Sequence, residues 1–270
     1  MRGLGSGVTV VVPAHNEAPT IATVVSQIQS AVPDAEVLVV DDGSVDGTSD
    51  KASGTTARVL RLEQNGGKGR ALQAGVKAAA GDVLVFIDAD GQDDPGEIPA
   101  MLEALTPDVD LVLGSRFVGT FNRGAITRFN RLGTQGINLI SRLLFRSSIT
   151  DPCAGFRAVR REAIETVGIK AAGYDIEVDV AFRILRAGGR VIEVPAVRSP
   201  RVAGRSGLSS IGDGFSILRR MVQIRLERNP PKLVRRGTTA GATQSGIGSR
   251  APEAAKERLA ESDRGPVGAA

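Results

Sequence analysis

Cysteine, histidine and tyrosine each occur once in the 270 residues, and tryptophan does not occur at all. The lone Cys153 excludes an internal disulfide and a structural zinc site, and fits a reducing compartment. With so few aromatic rings there are few platforms for stacked bases. No nucleic-acid-binding motif appears either, so nucleic acid is not expected as a partner. No run approaches the ~18 apolar residues that span a bilayer. The first seven residues are too short and too rich in glycine for a secretory signal. A cytoplasmic protein is therefore expected. Two nucleotide signatures are also missing. No G-x-G-x-x-G follows the first apolar run, and Asn65-Gly66-Gly67-Lys68-Gly69 lacks the P-loop spacing.

What is present is an ordinary apolar fraction, 41%, enough for a sizeable core. Its pattern alternates. Short β-branched runs lie at 8–12, 36–40 and 83–87, with a weaker strand pattern at 58–62. Helical spacing follows those at 8–12, 36–40 and 58–62, over 20–32, from 45–48, and over 70–80. Strands alternating with helices predict an α/β fold, a mostly parallel central sheet flanked by helices. Further on, helices are expected at 97–105, 131–145, 162–167 and 174–187. Strands are expected at 109–113, at 156–159 (as an edge strand) and at 190–197, where Pro195 also reads as edge.

The densest signal is Val83 to Gln92. Five apolar residues run into Asp88-Ala89-Asp90-Gly91-Gln92. A buried strand would deliver both carboxylates to its carboxyl end, where open α/β sheets bind ligands. Two hard anionic oxygen donors, with the Gln92 amide beside them, suit Mg²⁺ or Mn²⁺ carrying a diphosphate. The same residues also suit a plain turn. Carboxylates follow the first strand (Glu17) and the second (Asp41, Asp42) too. Three acidic loops thus converge on one sheet edge, which favours a nucleotide site. Lys68, in a glycine-flanked loop, can add positive charge to the phosphates.

The charge is uneven. From Arg190 to Arg236 there are eleven Lys/Arg against three Asp/Glu, which points to an anionic partner surface. Within it Ile211, Phe215, Leu218 and Val222 recur at helical spacing among arginines. This predicts a basic amphipathic helix over 208–226. It can lie on an anionic membrane, or pack its stripe on the body or on a second subunit. From Gly237 the chain is poor in large apolar residues and reads as a disordered tail. The expected divisions are a flexible N-terminus (1–7), a catalytic domain (8–207), the basic helix with its linker (208–236) and the tail (237–270).

Five motifs stand in order: Val10-Val11-Val12-Pro13-Ala14-His15-Asn16-Glu17, Val39-Val40-Asp41-Asp42-Gly43-Ser44-Val45-Asp46-Gly47-Thr48, Asp88-Ala89-Asp90-Gly91-Gln92, Gly114-Ser115-Arg116 and Gly155-Phe156-Arg157. Together they resemble the family 2 glycosyltransferases, in particular the dolichyl-phosphate mannosyltransferase and polyprenyl-phosphate sugar transferase branch. The resemblance covers roughly residues 8 to 210. It implies a GT-A fold, a nucleotide-sugar donor, a divalent metal and inverting transfer. By position, Pro13, Glu17 and Asp42 resemble base and ribose contacts, with Asp41 orienting their loop and His15 as a stacking or packing ring. Asp88, Ala89, Asp90 and Gln92 resemble the metal and diphosphate segment. Arg116, Arg128 and Arg131 resemble phosphate-binding arginines.

The segment from Glu193-Val194-Pro195 to Arg201-Val202-Ala203-Gly204-Arg205-Ser206-Gly207-Leu208 resembles the family's E-V-P and R-x-x-G-x-S-K-L. Gly207 replaces its lysine, so Arg201 and Arg205 become the candidate cations there. Gly67-Lys68-Gly69 is closer to relatives that use UDP-sugars, which leaves UDP and GDP both open. A lipid-phosphate acceptor is already anionic and needs little general-base help. A soluble hydroxyl acceptor needs a carboxylate to take its proton. The candidates lie near residue 177. Asp175 and Asp179 would share one helix face while Glu177 points elsewhere. A solvated acidic face is the alternative. Asp90, Arg116, Asp175 and Glu177 are the expected catalytic residues.

Overall fold

The computed structural model describes residues 7–118, 128–173, 175–201 and 212–233, with backbone alone at 128–135 and 213. A seven-stranded sheet runs through the described residues. Its strands are β1 (Val8–Ala14), β2 (Glu36–Asp41), β3 (Arg58–Arg61), β4 (Val83–Phe86), β5 (Leu111–Ser115), β6 (Arg157–Arg160) and β7 (Val191–Pro195). Their order is β3-β2-β1-β4-β6-β5-β7. All pairings are parallel except those of β6, which runs antiparallel to both β4 and β5.

The strands form because their residues are β-branched and alternate between two buried faces. Val10, Val12, Val37, Val39, Val85 and Val112 face one core layer, with Ile21, Val24, Val25 and Ile28 of α1 (Ile21–Ala31). Val11, Leu38, Val40, Leu84, Phe86, Leu111 and Leu113 face the other. That second layer packs against α3 (Lys68–Ala78), α6 (Arg161–Val167) and α7 (Ile176–Arg186). Burying each such side chain contributes about 1.5–3 kcal/mol against the entropy of ordering it. The short α2 (Thr48–Ser53) joins β2 to β3, and α4 (Ile98–Ala104) leads into β5 and packs on β5 and β6.

A third apolar cluster joins α7 to α5 (Arg128–Phe145) and α8 (Gly212–Leu226). Val178 and Phe182 of α7 meet Ile217, Met221 and Ile224 of α8, and Phe145 stacks on Phe182 at 4.3 Å between ring centroids.

One expectation needs correcting, and one open alternative falls away. The strand near 156–159 is not an edge strand. β6 lies between β4 and β5 and is buried at Arg157, Ala158 and Val159. Its short run gave no sign of reversed direction, because a single strand pattern does not encode parallel or antiparallel pairing. Of the three seats open to the apolar stripe of α8, the body of this chain does not take Phe215 and Val222. Ile217, Met221 and Ile224 face inward, while Phe215 and Val222 stand exposed. The sequence of α8 carries two apolar stripes. The ion pair from Arg220 to Asp175 at 2.8 Å helps select which one turns inward. Residues 1–6, 119–127, 174, 202–211 and 234–270 lie outside the described residues, Ile211 and the whole of the expected tail among them.

Candidate active site

The carboxyl ends of β1, β2 and β4 meet at one sheet edge. There they surround a cavity of about 420 Å³ whose lining includes Pro13, His15, Glu17, Asp42, Lys68, Asp88, Ala89, Asp90 and Arg201. Nine of the residues expected at a nucleotide-sugar site therefore share one cavity. Ala14, Asn65, Gly67, Ala71 and Gly173 also line it. Of these five, Gly173 carried the weakest sequence signal, a lone glycine before a helix.

The loops are tied to one another through their backbones. Asn16 adopts a left-handed φ of 56°. Its N–H donates to Ser44 Oγ at 2.9 Å, and its Oδ1 accepts the N–H of Val45 at 3.0 Å. The N–H of Glu17 donates to Thr48 Oγ1 at 2.9 Å. Thus Ser44 and Thr48, within the second motif, brace the loop after β1. Asp41 is fully buried, and its Oδ1 accepts the N–H of Ser44 at 2.9 Å. Its Oδ2 lacks a hydrogen bond and faces Arg61 at 3.8 Å. Asp42 accepts the N–H groups of Gly66 and Gly67 at 2.9 and 2.8 Å. The approach is so close that a Cβ on Gly43, whose φ is +69°, would lie 2.6 Å from the Asn65 nitrogen. His15 Nδ1 lies 2.8 Å from the Asp42 carbonyl oxygen, which fixes its ring at the cavity wall.

Lys68 is not a mobile arm. It opens α3 and is largely covered, with Nζ 2.6 Å from Asp88 Oδ1 and 2.9 Å from Glu177 Oε1. Burial opposes its charge, but the two carboxylates outweigh burial and hold the ammonium above its ordinary value. Burial likewise opposes ionisation of Asp88. Lys68, with Arg198 and Arg157 behind it, nevertheless holds that carboxyl below the usual range. Arg201 makes a second bridge, 2.8 Å to Glu17 Oε1 and 2.8 Å to Asp90 Oδ2. Burial raises the Glu17 carboxyl despite Arg201, and the Asp90 charge adds to the rise. Each carboxylate after β4 therefore has its own cation.

Gly155 heads the fifth motif, where the sequence assigned it no role at the site. It immediately precedes Phe156 and β6, and a Cβ there would lie 3.1 Å from both Asp88 Oδ2 and Lys68 Nζ. Because β6 is reversed, its beginning reaches the edge where its neighbours end. Arg157 is buried and donates to the carbonyls of Ala154 at 2.5 Å and Glu177 at 3.2 Å, holding this corner together.

The acidic positions of α7 divide as their spacing requires. Asp175 pairs with Arg220 at 2.8 Å, Asp179 pairs with Arg183 at 2.7 Å with Arg220 at 4.0 Å, and Glu177 turns to Lys68. All three are buried, so the solvated-face alternative does not hold. Other expected residues lie apart from the cavity lining. Arg116 makes a bidentate pair with buried Asp151, at 2.6 and 2.7 Å. The Gln92 amide donates to the Ser199 carbonyl at 3.0 Å, and its oxygen accepts from Arg198 at 3.0 Å. The side chains of Arg128 and Arg131, and all of Arg205, lie outside the described residues.

The donor set of Asp88 and Asp90 fits a hard divalent ion. Among the described residues no three His, Cys, Asp or Glu side chains form a cage for one. The pair of carboxylates itself suits an ion such as Mg²⁺, which takes one or two carboxylates and completes its shell with phosphate oxygens and water.

With this geometry in view, the comparisons with known proteins are direct. The model of the family described as "Glycosyl transferase family 2" matches residues 9–168. The chain belongs to family 2 of the glycosyltransferases, with the GT-A fold, and is a glycosyltransferase. It is similar to the undecaprenyl-phosphate mannosyltransferase of Micrococcus luteus, 35% identical over 213 residues, covering 75% of this chain and 87% of that one. It is also similar to the polyprenol monophosphomannose synthase of Mycolicibacterium smegmatis, 34% identical over 74% of this chain and 80% of that one. Among solved structures, glucosyl-3-phosphoglycerate synthase from Mycobacterium tuberculosis, in complex with phosphoglyceric acid, superposes with a TM-score of 0.67. It is 25% identical and covers 82% of this chain and 80% of that one. The same enzyme with Mn²⁺, uridine diphosphate and glucosyl-3-phosphoglycerate gives a TM-score of 0.66 at 25% identity, with 82% and 80% covered.

Proposed function

We propose that this glycosyltransferase moves a sugar from a UDP- or GDP-linked donor to a polyprenyl or dolichyl phosphate, with inversion and with a divalent metal. The observation that carries the reading is the single cavity holding Glu17, Asp42, Asp88, Asp90, Lys68 and Arg201, in a chain about one-third identical to two polyprenyl-phosphate mannosyltransferases. Glu17 and Asp42, with Pro13 and His15, receive the nucleoside. Asp41 and Thr48 hold their loops. Asp88 and Asp90 would hold Mg²⁺ or Mn²⁺ at the diphosphate. That ion would supply positive charge for the departing nucleoside diphosphate. Lys68 and Arg201 add fixed cations to the same region, so negative charge developing on the leaving group meets groups already oriented.

A lipid phosphate attacks as an anion and needs no strong base. The described site matches this need, since the cavity carboxylates Asp88 and Asp90 and the nearby Glu177 are each held by a cation. The lipid acceptor would also bring the chain to a membrane surface as a peripheral protein. Among the described residues no helix is long and apolar enough to cross a membrane.

A second reading has one specific observation behind it. The solved structure that superposes at 0.67 was crystallised with a soluble acceptor, phosphoglyceric acid. Under that reading Glu177 or Asp175 takes the proton of a hydroxyl. One experiment separates the two. Purified full-length protein is given UDP- and GDP-sugars with Mn²⁺ or Mg²⁺, and either a short-chain polyprenyl phosphate or 3-phosphoglycerate. Transfer to the polyprenyl phosphate alone is expected. Transfer to the soluble acceptor alone overturns the lipid reading, and equal turnover after chelation overturns the metal.

A further inference from the structure

Beyond β7 the chain crosses to the loop that follows β4. The ladder with β5 ends at Pro195, and the N–H of Ala196 still donates to the Ser115 carbonyl at 3.1 Å. The Val197 N–H then donates to the Glu97 carboxylate, at 2.9 and 3.2 Å. The Ser199 N–H donates to the Gln92 carbonyl at 2.8 Å. Between them Arg198 and Asp93 form an antiparallel bridge. The Arg198 guanidinium lies 3.0 and 3.3 Å from the two Asp93 oxygens, and the side chains are only 15% and 4% exposed. Two residues past Ser199, Arg201 reaches Glu17 and Asp90.

One short loop thus carries both a carboxylate and the grip on that carboxylate's cation. Asp90 pairs with Arg201, and its Oδ1 accepts the Gln92 N–H at 3.0 Å. Gln92 and Asp93 in turn hold the backbone from which Arg201 extends. A long side chain loses rotamer freedom when it bridges two fixed carboxylates. Anchoring the backbone beside it lowers the entropy that a free segment would lose in reaching the same geometry. Gln92 is fully engaged in this. Its amide N–H donates to the Ser199 carbonyl at 3.0 Å, and its Oε1 accepts from Arg198 at 3.0 Å. That oxygen is the side chain's one acceptor, so a cation bound there would stand against a guanidinium.

We propose that Gln92 and Asp93 are positioning residues, which act through Arg198 and Ser199 to fix residues 197–201 so that Arg201 spans Asp90 and Glu17. Gln92 serves this clasp and is not a metal ligand, which departs from what the family resemblance implies for it. The inference rests on the proposed metal and diphosphate site and adds the residues that hold its second cation. In the donor-free site the clasp keeps a guanidinium on an Asp90 oxygen that a divalent ion would otherwise take.

The test is a double-mutant cycle on Mn²⁺ affinity, read by electron paramagnetic resonance on the full chain without donor. Asp93→Ala is made in the wild type and in Arg201→Ala. Loss of a nearby negative charge weakens Mn²⁺ binding alike in both backgrounds. Release of Arg201 strengthens it in the wild-type background alone. The effect of Asp93→Ala should therefore be more favourable to Mn²⁺ in the wild-type background by about threefold or more. Gln92→Leu removes no charge and should show the same coupling, which keeps the proposal falsifiable where Asp93→Ala does not fold. Equal effects in the two backgrounds overturn the proposal, and so does an equal fall in Mn²⁺ affinity on Gln92→Leu in both, which would make Gln92 a ligand. Wild-type protein that binds no Mn²⁺ counts against the metal reading instead. The cycle is then read on the affinity for UDP and GDP by calorimetry, where the loss caused by Asp93→Ala should disappear once Arg201 is gone. Additive losses there, or no nucleotide binding at all, overturn the proposal.

Discussion

Replacing Lys68 with Met tests whether the cavity is organised around balanced buried charge. The substitution keeps the chain length and removes only the ammonium. Asp88 and Glu177 are then left without the nitrogen that lies 2.6 and 2.9 Å from them. Both oxygens touch one nitrogen, so they are less than about 6 Å apart, and at an effective dielectric near 20 two such charges repel by roughly 3 kcal/mol. Breaking a buried pair costs a similar amount, about 3–5 kcal/mol. A loss of about 3 kcal/mol lowers the melting temperature of a protein this size by roughly 6–12 °C.

The pH dependence follows from the sign of the Asp88 shift. In the wild type Lys68 helps hold this carboxyl below its ordinary value. Its contribution is therefore present above the unfolded pKa and is lost as pH falls through the lowered folded value. The variant lacks this term, so the difference in melting temperature should be widest at neutral pH and narrow below about pH 4. Millimolar Mn²⁺ should raise the melting temperature of the variant more than that of the wild type, since the ion replaces the missing positive charge. Thermal unfolding from pH 3.5 to 8, with and without Mn²⁺, measures all three effects. Equal stability at pH 7 would refute the charge-balance argument.

Other consequences can be measured separately. Asp90→Ala should abolish transfer and metal-dependent nucleotide binding while the circular dichroism spectrum stays native; undiminished turnover would remove Asp90 from the site. Arg201→Ala frees Asp90 and Glu17 from a partly exposed ion pair, so Mn²⁺ affinity without donor should rise about fivefold, read by electron paramagnetic resonance; weaker Mn²⁺ binding would contradict the pairing. Glu97 is raised to about 7, mainly by burial and partly by Asp94 and Asp93, against the hydrogen bond it accepts from Val197. Its stabilising term is present below about pH 4.5 and lost as pH rises through 7. Glu97→Gln should flatten the stability profile across that window, and an unchanged profile would count against it. Gly155→Ala places a Cβ 3.1 Å from Asp88 and Lys68, so transfer should fall with little change in melting temperature; full activity would show that this corner yields freely.

The first four strands and the acidic edge were legible in the sequence because one physical rule produces both. Parallel strands buried on two faces read as unbroken β-branched runs, and their carboxyl ends share an edge. Glu17, Asp42, Asp88 and Asp90 could therefore be brought together from spacing alone. Gln92 and Arg116 followed the motifs in order, but order carries no information about where a side chain turns. Gln92 went to Arg198 and Ser199, and Arg116 to Asp151, because partners distant in sequence were available. Lys68 read as a loop residue because its flanking glycines mask a helix start. The face of α8 was illegible for a related reason. Two stripes of comparable hydrophobicity occupy one helix, and the choice is made by Asp175 and by Val178 and Phe182 on α7.

The reversed strand β6 has one more consequence. β4 and β5 do not pair with each other; the strand that joins them within the sheet is β6, and beyond the strand ends Asp93 also bridges Arg198. In sheet terms the described strands are two parallel ribbons, one of four strands and one of two, welded along a strand four residues long. Both sides of that weld come from different parts of the chain, and the weld itself begins two residues after Gly155. Recombining segments between relatives would thus be governed by this seam. A junction that keeps β4 and β6 from the same parent preserves the corner at Asp88 and Lys68, whereas one that separates them recuts the cavity wall.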